Sequence, residues 1–211
     1  MTNFEINNYE IVRNHLNEST CSLFYNYIKL LANRQATKYE ILNEKYDKYW
    51  DGDWEDPQAI GSFSHYGDPL MDTLLCSSLD TMQAIANKEL VPTYSYFRLY
   101  QEGDTLTKHI DRSSCEVSTT VCLGENNTNL EDDYCWSFYL ENNNNDIVKI
   151  DLKPGDMLVY NGVKLSHWRE ELKGLNLAQV FLHYNDKSNK NNNFMDNRPM
   201  FGLPKSIFYK Y

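Results

Sequence analysis

The sequence predicts an α+β fold that is mainly β, in which helices come first and cover a small antiparallel double sheet. Apolar residues repeat at helical spacing before Lys88, whereas short β-branched and aromatic segments alternate with turns after Pro92. The chain has 211 residues, of which 41% are hydrophobic, so it can bury one core of ordinary size. We therefore expect a single domain.

Two helices are predicted in the first ninety residues. Ser19 is a suitable N-cap for the first of them, whose apolar face is formed by Phe24, Tyr27, Ile28 and Leu31. The pair Asp68-Pro69 is typical of the N-cap and first position of the second. We expect this helix to end near Lys88, with an apolar face formed by Leu75, Leu79, Met82 and Ala86.

The stretch between these helices, residues 44–68, is rich in aromatic residues, Asp and Gly and has no clear period. It has two interpretations, a lid over a site or a packed irregular loop.

The second half of the chain is predicted to be strands. The candidates are TYSYFRLY, a strand opened by HID, VSTTVCLG, WSFYLE, DIVKIDL, MLVYNG and LAQVFLHY. Strands this short and evenly spaced indicate a β-sandwich or open barrel. The expected division is a helical layer with its loop in 1–90, a β core in 91–186 and a tail in 187–211.

Composition excludes several classes of protein. The formal net charge of −10 argues against binding of duplex DNA, which needs clustered Lys and Arg, so we expect no nucleic-acid partner. No apolar run is long enough to span a membrane, and the first residues lack the features of a signal peptide, so a cytoplasmic location is expected. Five cysteines with no CxxC spacing then predict reduced thiols rather than disulfides or a zinc site.

The motif that carries chemistry is His109-Ile110-Asp111. Residues two apart in a strand point the same way, so His109 and Asp111 can face one point inside a barrel. A second histidine would complete two imidazoles and one carboxylate, a set that binds non-haem Fe(II) and leaves positions open. His167, after the next turn and strand, is the best partner, and His183, in the apolar last strand, is the competitor.

The order of features along the chain resembles that of the 2-oxoglutarate- and Fe(II)-dependent oxygenases, in particular the prolyl-4-hydroxylase-like branch. A tyrosine, a glycine turn, the HxD motif, a PGD turn with its strand and the distal histidine come in this order in that branch. Here they are Tyr100, Gly103, His109-Ile110-Asp111, Pro154-Gly155-Asp156 and His167. The resemblance covers roughly residues 91–186.

This resemblance implies a double-stranded β-helix, or jelly roll, with the N-terminal helices packed on one sheet. It also implies that His109, Asp111 and His167 bind Fe(II), that 2-oxoglutarate and O₂ are co-substrates, and that Tyr100 contacts 2-oxoglutarate. The implied reaction converts 2-oxoglutarate to succinate and CO₂ and oxidises a second substrate, while the protein supplies ligands, orientation and a dry pocket.

The sequence departs from the family at the cation that holds the distal carboxylate of 2-oxoglutarate. The corresponding position on the last strand falls within residues 176–179, Asn-Leu-Ala-Gln, where no basic residue stands. Arg169 shares the inward face of His167, and Arg98 shares the face of Tyr100, so either guanidinium can replace the missing clamp. Weaker candidates for hydrogen bonds to the co-substrate are Ser118, Thr120 and Gln179.

The sequence leaves two functional classes open and argues against two others. The first is a hydroxylase of a protein side chain or a free amino acid, and the second is a non-catalytic β-barrel binding module with an incidental HxD. A nucleic-acid demethylase would carry a pair of arginines after the distal histidine, which this sequence lacks. A cupin dioxygenase would carry an HxH motif. The sequence identifies neither the substrate nor the oligomeric state.

Overall fold

The structure is a computed structural model, which describes residues 1–41, 50–130 and 133–189. Within these ranges the chain forms four helices and ten strands. In chain order they are α1 (Asn3–Asn7), β1 (Tyr9–Val12), α2 (Glu18–Glu40), β2 (Phe63–Tyr66), α3 (Pro69–Ser77), α4 (Leu79–Ala86), β3 (Leu90–Gln101), β4 (Leu106–His109), β5 (Val117–Asn126), β6 (Phe138–Glu141), β7 (Ile147–Ile150), β8 (Met157–Tyr160), β9 (His167–Arg169) and β10 (Asn176–Asp186). The prediction of a mainly β fold with few helices is confirmed.

The strands form two antiparallel sheets. The larger sheet has the spatial order β1-β8-β5-β10-β3-β2, and the smaller has the order β4-β9-β6-β7. From β3 to β6, consecutive strands alternate between the sheets, as do β7, β8, β9 and β10, so the chain winds back and forth between them. This arrangement is consistent with a jelly roll, in which two apposed sheets enclose an interior.

The larger sheet has two different faces, as β5 shows. Cys122 belongs to the buried cluster between the sheets, together with Tyr100 and Phe138. Val121 and Leu123 point the other way and belong to a second cluster, which also contains buried apolar residues of α2, α3 and α4. Because side chains alternate along a strand, Ser118 and Thr120 share the interior face with Cys122.

The helices begin and end at positions that their caps explain. Helix α2 begins two residues earlier than predicted, because the Asn17 side chain, not that of Ser19, accepts the N–H of Thr20 at 2.9 Å. The predicted cap of the next helix is confirmed, since Asp68 accepts the N–H groups of Leu70 and Met71. The single helix expected up to Lys88 is divided at Ser78 into α3 and α4. None of the helices in the described ranges has the length and apolar character of a membrane span.

Two strands in the first ninety residues were not predicted. β1 pairs with β8 and β2 pairs with β3, so both are extended by pairing with distant segments rather than by their own pattern. The prediction that HID opens a strand was wrong, because β4 ends at His109 and Asp111 lies just beyond it. Part of the possible lid, 44–49, and most of the predicted tail, 190–211, lie outside the described residues.

The PGD turn ties the start of β8 to the segment before α2. Gly155 has φ +94°, and a Cβ there would lie 2.4 Å from the carbonyl oxygen of Leu16, so only glycine fits. The Asp156 carboxylate accepts hydrogen bonds from Arg13 at 2.6 Å and from the N–H groups of Asn14 and Lys153. Burial opposes ionisation, but these donors outweigh it and lower the pKa of Asp156.

Candidate metal centre

The three predicted ligands converge where β4 meets β9. His109 and His167 are direct partners across this strand pair. Their Nε2 atoms lie 3.7 and 3.6 Å from Oδ1 of Asp111, and the candidate ligand atoms all lie within 4.8 Å of one another. The exposed fractions are 21% for His109, 13% for Asp111 and 2% for His167, so the group sits at the mouth of the interior.

Both imidazoles are held in the orientation that metal binding requires. Nδ1 of His109 lies 2.6 Å from the carbonyl oxygen of Thr107, and Nδ1 of His167 lies 2.9 Å from that of Leu165. A carbonyl oxygen only accepts hydrogen bonds, so each Nδ1 carries the proton and each Nε2 presents a lone pair. Burial lowers the pKa of His167, and the charge of Asp111 offsets part of this effect, so the ring is neutral at pH 7.

Asp111 is positioned by a serine and a glycine. Ser118 on β5 donates to Oδ2 of Asp111 at 2.8 Å, which leaves Oδ1 facing the two imidazoles. The N–H of Asp111 donates to the carbonyl of Gly162 at 2.8 Å. A Cβ at Gly162 would lie 2.2 Å from Oδ2 of Asp111 and 2.6 Å from Oγ of Ser118. The turn after β8 can therefore approach the carboxylate this closely only because residue 162 is glycine. Gly162 was not among the predicted site residues. In the sequence, only the Asn161-Gly162 pair, which is typical of a turn, points to this position.

A second group of possible ligands shares the same carboxylate. Asp111, Cys115 and His183 also lie close enough to hold a metal ion. However, Nδ1 of His183 lies 2.9 Å from Oγ of Ser118, and burial raises the pKa of the Cys115 thiol to about 12. A protonated thiol is a poor ligand, whereas two imidazoles and a carboxylate suit Fe(II) without rearrangement. The geometry therefore favours His167 over His183 as the second histidine.

A cavity of about 410 Å³ opens beside the triad. Besides the triad, its wall contains two arginines, several aromatic residues and two polar residues, and three of these residues belong to the 44–68 stretch. These are Arg98, Arg112, Tyr66, Tyr94, Tyr96, Tyr160, Phe181, Asp56 and Gln58. The cavity can thus hold a small polar molecule next to the candidate metal position.

Arg98 lines this cavity and already has an anionic partner. It is 3% exposed, and its Nη2 lies 2.7 Å from Oδ2 of Asp56 and 2.9 Å from Oε1 of Gln58. Its Nη1 donates to the hydroxyl of Tyr100 at 3.3 Å. Burial alone would lower the pKa of Arg98, but Tyr100, Tyr96 and Asp56 outweigh burial and raise it.

Arg169 lies deeper in the interior and is differently partnered. It is 3% exposed, donates to the carbonyl of Trp136 and to Oε1 of Gln179 at 2.8 Å, and stacks on the Trp136 ring. No carboxylate in the described part of the chain lies within ion-pair distance of it, and burial lowers the pKa of its guanidinium. A buried cation without a counter-ion is unfavourable, so this position is suited to an anionic ligand.

Three buried polar atoms in this part of the interior lack a hydrogen-bond partner. They are Nε of Arg169, Nε2 of Gln179 and Oγ1 of Thr120. Gln179 is the Cα partner of Arg98 across β10 and β3, so the two arginines flank it from the two sheets. Buried polar groups are normally satisfied. The hydrogen bonding of this part of the interior is therefore incomplete among the described residues.

Tyr100 lies at the deep end of the same region. It is fully buried, and its ring meets that of Trp136 edge-on at 4.7 Å between centroids. Its hydroxyl accepts the hydrogen bond from Arg98 described above, and Arg169 stacks on the same Trp136 ring that Tyr100 contacts. Tyr100 and Trp136 therefore connect the two arginines.

Comparison with known proteins gives structural but not sequence matches. No protein-family model and no curated protein sequence matches the chain. A prolyl-4-hydroxylase from Pseudomonas putida superposes with TM-score 0.65 at 11% identity, over 88% of this chain and 96% of that one. HygX from Streptomyces hygroscopicus, solved with nickel and 2-oxoglutarate bound, superposes with TM-score 0.62 at 12% identity, over 88% and 85%.

A prolyl hydroxylase from Trichoplax adhaerens is also similar. It was solved in complex with a peptide fragment of hypoxia inducible factor and superposes with TM-score 0.59 at 18% identity, over 87% of this chain and 86% of that one. Likeness at such low identity is likeness of fold. The chain therefore has the jelly-roll fold that the structures of prolyl hydroxylases and HygX share.

Proposed function

We propose that the protein is an Fe(II)- and 2-oxoglutarate-dependent dioxygenase that hydroxylates a protein side chain or a free amino acid. The observation that carries the proposal is the convergence of His109, Asp111 and His167, with both Nε2 lone pairs and one carboxylate oxygen turned toward one point. The shared fold, and the nickel and 2-oxoglutarate bound in HygX, support it. We further propose that α2, α3 and α4 form an outer layer on the larger sheet.

The donor set fits the metal. Two neutral imidazoles and one carboxylate are the ligands that non-haem Fe(II) oxygenases use, and they leave positions for co-substrates. When bound, Fe(II) supplies the redox chemistry by which one oxygen atom of O₂ enters succinate and the other enters the substrate, with release of CO₂. The protein's part is to hold the ligands, orient the co-substrates and exclude water.

We assign the distal carboxylate of 2-oxoglutarate to Arg169. Its guanidinium has no carboxylate partner in the described ranges, and the unpaired atoms of Gln179 and Thr120 lie in the same part of the interior. An anion beside Arg169 would relieve the cost of burying this cation. Arg98, the alternative, is already paired with Asp56. Tyr100 is placed to support the co-substrate from the deep end.

The assignment predicts a specific loss of 2-oxoglutarate affinity. A charged hydrogen bond to a buried carboxylate contributes about 2–3 kcal/mol, so Arg169→Ala should weaken 2-oxoglutarate binding roughly thirty- to a hundredfold. Binding would be titrated without O₂ on the Fe(II)-loaded protein, with Arg98→Ala as the competing variant. Metal binding should be unchanged in both. Wild-type affinity for 2-oxoglutarate in Arg169→Ala would remove this residue from the site.

The activity itself is tested by succinate formation. Purified protein with Fe(II), 2-oxoglutarate and O₂ should produce succinate, and the production should rise when the correct substrate is added. Asp111→Ala should abolish it, whereas His15→Ala, which changes a histidine outside the cavity, should not. A binding module with an incidental HxD predicts no succinate above the level of Asp111→Ala.

A further inference from the structure

An ion pair lies in the wall of the cavity that holds the metal triad. Arg98 and Asp56 both line this cavity, and Gln58 lines it beside them. Their charged groups are 2.7 Å apart, and Nε of Arg98 is buried without a partner. A positive and a negative group therefore stand side by side, and the positive one keeps an unused donor.

This ion pair is not the main attachment of the segment that carries Asp56. Asp53 and Ser64 exchange two backbone hydrogen bonds, at 2.7 and 2.8 Å. Ser62 donates to Asp104 at 2.7 Å, and Trp54 donates to the buried Gln35 and packs on Phe63. Residues 53–64 are therefore anchored at both ends by contacts other than this ion pair.

Both members of the pair are charged at neutral pH. Burial alone would raise the pKa of Asp56, but the charge of Arg98 and the hydrogen bond from Tyr96 outweigh it and lower the pKa. Arginine stays protonated in proteins. The pair thus presents a fixed dipole to whatever enters the cavity.

We propose that the substrate is a free α-amino acid, whose carboxylate binds Arg98 and whose ammonium group binds Asp56. The inference rests on the proposed function and names its substrate class. A zwitterion matches the pair charge for charge, because its carboxylate is attracted to the guanidinium of Arg98 and its ammonium group to the carboxylate of Asp56. Gln58 offers its Oε1 as a second acceptor for the ammonium group.

The side chain of such a substrate would extend toward the triad. The same cavity is also lined by Tyr94, Tyr96 and Phe181, and the rings of Tyr96 and Phe181 are in contact. Aromatic walls favour an uncharged side chain, since a charged one would lose hydration without gaining a partner.

The test is binding, not turnover. Protein loaded with Ni(II) and 2-oxoglutarate would be titrated by calorimetry with the standard L-amino acids and with the N-acetyl carboxamide of each binder. At least one free amino acid should bind, and its blocked form, which lacks both charges, should bind at least tenfold more weakly.

The variants localise the site. Asp56→Asn and Arg98→Lys should each weaken binding of the amino acid at least tenfold and leave the affinity for 2-oxoglutarate unchanged. The exposed Arg34, outside the cavity, provides a control, and Arg34→Ala should bind like wild type. Thermal unfolding identifies a variant that fails to fold, and the comparison of free and blocked ligands on wild type needs no variant.

Three results would overturn the inference while leaving the proposed function standing. They are equal binding of free and blocked ligands, wild-type amino-acid affinity in Asp56→Asn, and loss of 2-oxoglutarate binding in Arg98→Lys, which would make Arg98 the co-substrate clamp. Failure of the wild type to bind metal or 2-oxoglutarate would instead overturn the proposed function, and this inference with it.

Discussion

At the scale of single residues, Asp111 is the most constrained group in the site. Oδ1 of its carboxylate faces the two imidazoles, and Oδ2 accepts a hydrogen bond from Ser118, so each oxygen has its own partners. Gly162 lies close to the other oxygen, since a Cβ at this position would be 2.2 Å from Oδ2 of Asp111. The residues around Asp111 therefore hold one of its oxygens toward the two imidazoles, as the proposed metal centre requires.

Ser118 is the neighbour whose contribution can be measured without disturbing the backbone. Ser118→Ala removes the hydrogen bond to Asp111, so the carboxylate can rotate and the affinity for a divalent metal should fall about 10- to 100-fold. Competition with a chromophoric chelator measures the affinity. Ser137→Ala is a matched control, because Ser137 also donates to an aspartate, Asp151, away from the triad. Unchanged affinity in Ser118→Ala would show that Asp111 needs no such support.

At the scale of elements, the site depends on the pairing of β4 with β9. The sequence predicted that His109 and Asp111 face one point, and they do, although β4 ends at His109. The prediction that four strands lie between the HxD and His167 was also right. These features were predictable because the alternation of side chains and the turn residues that indicate them lie within the segments themselves.

Features that depend on distant partners were not predictable in the same way. β1 and β2 are edge strands whose pairing, not their composition, makes them extended. Asp56 reaches the cavity only because its segment is anchored at Ser64, so no local pattern identified it. The requirement for glycine at position 162 was not predictable either, because it comes from the nearby side chains of Asp111 and Ser118.

The PGD turn provides a prediction with a defined dependence on pH. Asp156→Asn removes a charged acceptor of three hydrogen bonds and should lower the free energy of unfolding by about 1–2 kcal/mol at pH 7. The folded-state pKa of Asp156 is lowered. Its stabilisation is therefore complete above the unfolded pKa of about 3.9 and is lost as the pH falls through the lower folded value.

Urea unfolding at a series of pH values measures this difference. Wild type and Asp156→Asn should differ at pH 7 and converge in acid, and the exposed loop variant Asp146→Asn should match wild type throughout. A difference between wild type and Asp156→Asn that stayed constant into acid would mean that the charge of Asp156 contributes nothing to the turn.

At the scale of the whole molecule, the two sheets enclose a strongly polar interior. Two arginines are each 3% exposed there, one paired with Asp56 and one without a carboxylate partner in the described ranges. Buried charge of this kind lowers stability unless it is satisfied, and it is retained where a ligand uses it. Burial of Arg169 without a carboxylate partner in the described ranges therefore lowers the stability of the core.

The cysteines do not stabilise this architecture through disulfides. All five are free, and Cys21, Cys115 and Cys122 are buried. We expect mass spectrometry of the non-reduced protein, alkylated after unfolding, to find five modified thiols, and addition of a reductant to leave the melting temperature unchanged. A native disulfide peptide would contradict this expectation.

The measurement that tests the central claim most directly is metal stoichiometry under anaerobic conditions. Wild type should bind one Fe(II) per chain, and 2-oxoglutarate should then bind to the loaded protein. His109→Ala, Asp111→Ala and His167→Ala should each lose the metal, while His15→Ala retains it. Full metal loading of Asp111→Ala or His167→Ala, with folded protein, would contradict the account, because the ion would then lie elsewhere.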